Sequence, residues 1–180
     1  MKDSKRLNSS PNHGDKTMKP IYQNLIIPFL LFQGSLLAHC QVPCGIYNDA
    51  ARIIQIQEDF STIQKAMTKI KELSQQQDAT SMNQLTRWIM TKDEHASKIQ
   101  NVVSDYFLTQ RIKAKTEGSE HNTYVKQTTT LHQTLVSAMK CKQTIDSGHV
   151  DDGLHQIETF IDLYFDTHGK DHIKQMSESY

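Results

Sequence analysis

Four stretches of the chain carry apolar residues three or four positions apart, the repeat of one face of an α-helix. The first runs Ile53, Ile56, Phe60, Ile63, Met67, Ile70. The second runs Leu85, Ile89, Lys92, Ala96, Ile99, Val103, Tyr106, with Lys92 its one polar intruder. The third (Tyr124, Thr128, Leu131, Leu135, Ala138) is the least apolar, and the fourth runs Val150, Leu154, Ile157, Ile161, Tyr164. Alternation with a period of two is missing, so strands are not expected. Loop chemistry separates the stripes: residues 75–81, residues 114–122 with Gly118 and Ser119, and Asp146-Ser147-Gly148. Ser81 is the expected cap of the second helix. A mean spacing of about 3.5 residues favours shallow left-handed packing, so the predicted fold is all-α, an up-and-down four-helix bundle over residues 48–166. Residues 167–180 read as a frayed polar tail, with Gly169 as a stop signal.

Ahead of the bundle the pattern changes. Residues 1–20 are polar and basic, with Lys2, Lys5, Arg6, Lys16 and Lys19, and Leu25 to Phe32 is an apolar run of eight. Gly34 and Ser35 then lead to Leu36-Leu37-Ala38. A basic start, a short apolar stretch and a small residue at the cut read as a secretory signal peptide over residues 1–38. Gln23, Asn24, Pro28 and Gln33 interrupt the apolar stretch too often for a good membrane span. An uncleaved N-terminal anchor is the alternative. Lipidation of Cys40 requires a small residue before it, and His39 stands there. The chain is therefore expected to be exported, to the periplasm or outside the cell, without a permanent membrane anchor and with a maturation peptidase as partner.

Removing 38 of 180 residues leaves 142, a length that suits one domain. It also takes five of 20 Lys/Arg and two of 20 Asp/Glu, leaving 15 basic against 18 acidic residues. No block of like charge occurs, so nucleic acid is not an expected partner. A small anionic substrate would need a local positive patch. Three cysteines do not make a disulfide scaffold, and Cys141, inside a helical stripe, reads as a buried small hydrophobe.

Directly after the expected cut stands His39-Cys40-Gln41-Val42-Pro43-Cys44-Gly45-Ile46-Tyr47. Cleavage after Ala38 would free the α-amine of His39, one residue from the first of two closely spaced thiols. Amine, imidazole, backbone amide and two thiolates then form a compact chelator for a square-planar metal. Pro43 turns the chain back toward the first thiol, and Gly45 tolerates backbone that a Cβ would penalise.

This nonapeptide resembles the N-terminal hook of nickel superoxide dismutases, whose mature chains begin His-Cys-x-x-Pro-Cys-Gly-x-Tyr. The six fixed positions are met by His39, Cys40, Pro43, Cys44, Gly45 and Tyr47. The quartet Ser104-Asp105-Tyr106-Phe107 also occurs in that family. The resemblance implies a superoxide dismutase with one nickel ion per subunit, assembled as a homohexamer of four-helix bundles, with superoxide as its substrate. It further implies that the His39 amine, the Cys40 amide and the Cys40 and Cys44 sulfurs are planar ligands, with the His39 ring axial in the oxidised state. Tyr47 takes the place of a tyrosine that orders water near the metal and limits access to it. Gln41 departs from the usual Asp. The glutamate and arginine that hold the axial imidazole have no clear counterpart here: Gln55 occupies the ungapped position, Glu58 is the nearest carboxylate, and Lys92 and Arg87 are candidates for the cation. Tyr106 is expected either to pair with Tyr47 or to serve as an aromatic core residue.

The other metal-like signals are weaker. His168 and His172 fall in the expected tail, and Asp152-x-x-His155 lacks the second copy that a di-iron bundle needs. His95 and His132 are expected to decorate helix faces or satisfy interhelical bonds. Two other functions compete with the dismutase: a non-enzymatic copper or nickel transfer protein, since Cu(II) favours the same planar donors, and a structural bundle with Cys40 and Cys44 oxidised to a disulfide.

Overall fold

The computed structural model describes residues 47–178. The expected signal peptide and residues 39–46 of the hook lie outside the described residues. Helix α1 spans Asp49–Leu73, α2 Ala79–Asn101, α3 His121–Gln143, α4 Gly148–Tyr164 and α5 Thr167–Glu178. Side chains at the loop ends start the first two: the Asn48 carboxamide oxygen accepts from Ala51 N at 3.0 Å, and the Asp78 carboxylate accepts from Ser81 N at 3.0 Å. Asp78 thus takes the capping role expected of Ser81. The Ser81 hydroxyl instead donates to Asp78 and Gln76 (2.6 Å each), tying the turn together from inside the helix.

Helices α1 and α2 pack as one antiparallel pair and α3 and α4 as another, with α2 against α3 and α1 against α4 closing the ring. This is the expected up-and-down four-helix bundle. Every residue of the first stripe is buried, and Phe60, Phe107 and Phe160 are fully enclosed at its centre. The second stripe holds from Lys92 onward, whereas Ile89 is 42% exposed. In α3 the inner face includes Thr130, Thr134 and Ser137, polar residues whose small size lets the neighbouring helices approach. In α4 the inner face includes Gly153, which a count of apolar residues skips. A Cβ there would stand 2.2 Å from the Phe60 ring.

Two segments differ from expectation. Residues 167–178 form α5, not a frayed tail. Asp166 accepts from Gly169 N at 2.8 Å, so Gly169 lies in a capped first turn, and Ile173 is buried where α5 lies on α1. The second segment, Val102–Arg111, continues α2 in wider π-helical turns. Its backbone bonds run to the fifth residue back, as in Ile112 N to Phe107 O at 2.9 Å. Five residues overshoot one α-helical turn by about 140°. The wider π turns reduce that overshoot, and Tyr106 and Arg111 both reach Asp49. Among the described residues no helix is long and apolar enough to cross a membrane.

Candidate metal centre

The helix pattern brings the start of α1, the end of the π segment and the end of α4 to one end of the bundle. There, three side chains converge on the carboxylate of Asp49, the first residue of α1. Tyr106 donates its hydroxyl to Oδ1 at 2.5 Å, and Tyr164 donates to Oδ2 at 2.8 Å. Arg111 reaches both oxygens, Nε to Oδ1 at 2.9 Å and Nη2 to Oδ2 at 2.7 Å. Bidentate pairing of this kind fixes the guanidinium plane as well as its place.

Burial by itself would raise the Asp49 carboxyl, but the bonds from Arg111, Tyr106 and Tyr164 outweigh it and hold the group below the usual carboxylate range. The phenols move the other way. Burial, then the bond to Asp49, pushes Tyr164 up to about 12, and the same causes raise Tyr106 further. Arg111 is raised by its bond to Asp49. All four groups are therefore locked in one protonation state at neutral pH, with both phenols as donors and Asp49 as acceptor.

Tyr47 sits on this cluster. Its ring lies under the Arg111 guanidinium, 4.3 Å from the carbon to the ring centroid, and meets the Tyr106 ring edge-on at 6.1 Å. Tyr47 remains 47% exposed, while Tyr106 is 2% exposed. Tyr106 thus fills both expected roles, core aromatic and partner of Tyr47. Arg52 lies 5.5 Å from the Tyr106 centroid and donates to Gln55 at 2.9 Å.

His39, Cys40 and Cys44 lie outside the described residues, as do Gln41, Pro43 and Gly45. The carboxylate and cations named as their candidate supports are not gathered beside Tyr47. Glu58 is on an exposed face nine residues along α1, about 13 Å from Asp49 along the axis, and Arg87 is exposed. Lys92, 4% exposed, donates to Cys141 O at 2.7 Å and Lys142 O at 2.6 Å, closing the C-terminal turn of α3. Arg111 is found beside Tyr47 instead, held by Asp49, which Tyr164 also bonds. Asp49 was hidden by lying among the capping positions, and Arg111 by a register that only π turns produce.

The remaining histidines are dispersed. His95 shares a 2.6 Å bond with Asp59 between α2 and α1, the interhelical role expected of it, and His132, His155, His168 and His172 are exposed. Among the described residues no three His, Cys, Asp or Glu side chains come together as metal ligands. Cys141 is fully buried, and burial pushes its thiol up to about 11, which keeps it protonated and a poor ligand. The other two cysteines, Cys40 and Cys44, lie outside the described residues, seven and three positions ahead of Tyr47 in the chain. Two thiolates close together in sequence are a donor type that would suit nickel.

No curated protein and no solved structure gives a significant match. The sequence profile of one family, described as nickel-containing superoxide dismutase, matches residues 35–168. That span runs from just before His39 through all four helices of the bundle. With an all-α bundle and most of its length matched, the chain belongs to the nickel-containing superoxide dismutases, oxidoreductases that carry nickel and act on superoxide.

Proposed function

We propose that cleavage after Ala38 frees the His39 amine, and that this amine, the Cys40 amide nitrogen, the thiolates of Cys40 and Cys44 and the His39 imidazole would hold one nickel ion. Nickel alternating between Ni(II) and Ni(III) supplies the one-electron chemistry by which two superoxide ions and two protons become O₂ and hydrogen peroxide. Amide and thiolate donation lowers the potential of an ion otherwise too hard to oxidise. The protein's own part is positional. Tyr47, three residues after Cys44, presents a half-exposed phenol whose ring Arg111 and Tyr106 hold, and we assign it the ordering of water and the control of access at the metal. The observation that carries this reading is that the six-residue hook signature ends on the tyrosine packed against the Asp49–Arg111 pair.

The leader directs export to the periplasm or beyond, and a peptidase there makes the mature chain. The bundles assemble as a homohexamer, so the native mass in solution is expected near six times that of one processed chain. A monomeric mass would remove the hexamer. N-terminal sequencing of the exported protein, combined with elemental analysis, tests the centre itself. A start at His39 with one nickel per chain and superoxide turnover is expected. A different start, or zinc in place of nickel, would overturn the ligand set. Nickel bound without turnover would favour a metal-transfer protein.

A further inference from the structure

We infer that Asp49 is a positioning residue for the superoxide reaction: through Arg111 and Tyr106 it sets the ring of Tyr47 without itself touching metal or substrate. The inference rests on the assignment of Tyr47 to the nickel hook. A carboxylate offers about four lone-pair directions. On Asp49 these are taken by Tyr106, by Arg111 Nε, by Arg111 Nη2 and by Tyr164. None is left for a metal ion, so Asp49 acts through its partners.

Those partners are the ones that fix Tyr47. A ring 47% exposed has little packing of its own, and its described ring contacts are the Arg111 guanidinium at 4.3 Å and the Tyr106 edge at 6.1 Å. Arg111 would otherwise rotate freely about its long side chain. The two-pronged grip of Asp49 holds its plane over the ring, and the π turns place Tyr106 and Arg111 side by side to share one carboxylate. Tyr164, from α4, anchors that carboxylate from the opposite side. Because the Tyr106 and Tyr164 hydroxyls both donate to Asp49, Tyr47 is the tyrosine of this group not bound to it. Asparagine at position 49 would keep one acceptor oxygen and place an N–H donor against other donors, which breaks the grip on Arg111.

A double-mutant cycle on the processed, nickel-loaded enzyme tests this, reading superoxide turnover per bound nickel in the parent, Asp49→Asn, Tyr47→Ala and the double variant. Asp49→Asn is expected to cost about tenfold in the parent, with nickel content and the Ni(III) paramagnetic signal unchanged, but less than about twofold beside Tyr47→Ala. The same factor in both backgrounds, or no loss in the parent, would overturn the role of Asp49 and leave that of Tyr47 standing. Unchanged turnover in Tyr47→Ala would overturn both. Should Asp49→Asn fail to regain its helical circular dichroism, Arg111→Lys replaces it in the same cycle, keeping the charge and losing the two-pronged bond.

Discussion

Asp49 concentrates more of the bundle's polar bonding than any neighbouring position, and it does so as an ion. Its carboxyl is held below its ordinary range in the folded protein, so the folded state binds fewer protons than the unfolded chain. Its contribution to stability is thus complete above about pH 4 and is lost as the pH falls through the lower, folded-state value. Urea midpoints at pH 7 and pH 3 should reveal this. Asp49→Asn is expected to be clearly less stable than the parent at pH 7, with the gap narrowing at pH 3. An equal gap at both values would show that the bonds from Arg111, Tyr106 and Tyr164 do not favour the ionised form.

Two elements make predictions that separate the scaffold from the site. At Gly153 helix α4 comes so close to α1 that an alanine Cβ would meet the Phe60 ring at 2.2 Å, and Phe60 is fully buried with no room to turn aside. Gly153→Ala should therefore cost about 1–3 kcal/mol, seen as a lowered thermal midpoint. An unchanged midpoint would mean that the helices separate without penalty. Lys92 makes the complementary case. Lys92→Met removes its bonds to the last turn of α3 and should cost about 1–3 kcal/mol, while nickel content and turnover per nickel stay at the parent values. A selective loss of nickel would instead return Lys92 to the metal centre. The helices themselves were legible in the sequence because Ile53 to Ile70 and Val150 to Tyr164 repeat with the helical period. Helix α5 was not, since Ile173 and Met176 give only two apolar positions among polar neighbours. The π turns of Val102–Arg111 escaped for a different reason: an α-helical wheel puts Tyr106 and Arg111 on different faces.

At the scale of the whole molecule, the division of labour follows from what is local in sequence and what is not. The hook is a nonapeptide, so the chemistry proposed for it rests on residues adjacent in sequence, His39, Cys40 and Cys44. The cluster behind Tyr47 joins residues as far apart as Asp49 and Tyr164, 115 positions, and only the folded bundle brings them together. One end of the bundle thus gathers the cluster around Tyr47, and the redox chemistry is proposed for the short segment before it. The claim on which the rest depends is that the amine of His39 is a nickel ligand. It is tested most directly by superoxide turnover, per bound nickel, of a chain that begins at His39 against one that begins with a single added alanine. The chain starting at His39 is expected to be active, and the extended chain, whose amine has become an ordinary amide, to lose turnover by at least about a hundredfold, roughly 2.7 kcal/mol in the barrier. Equal turnover in the two would contradict the assignment.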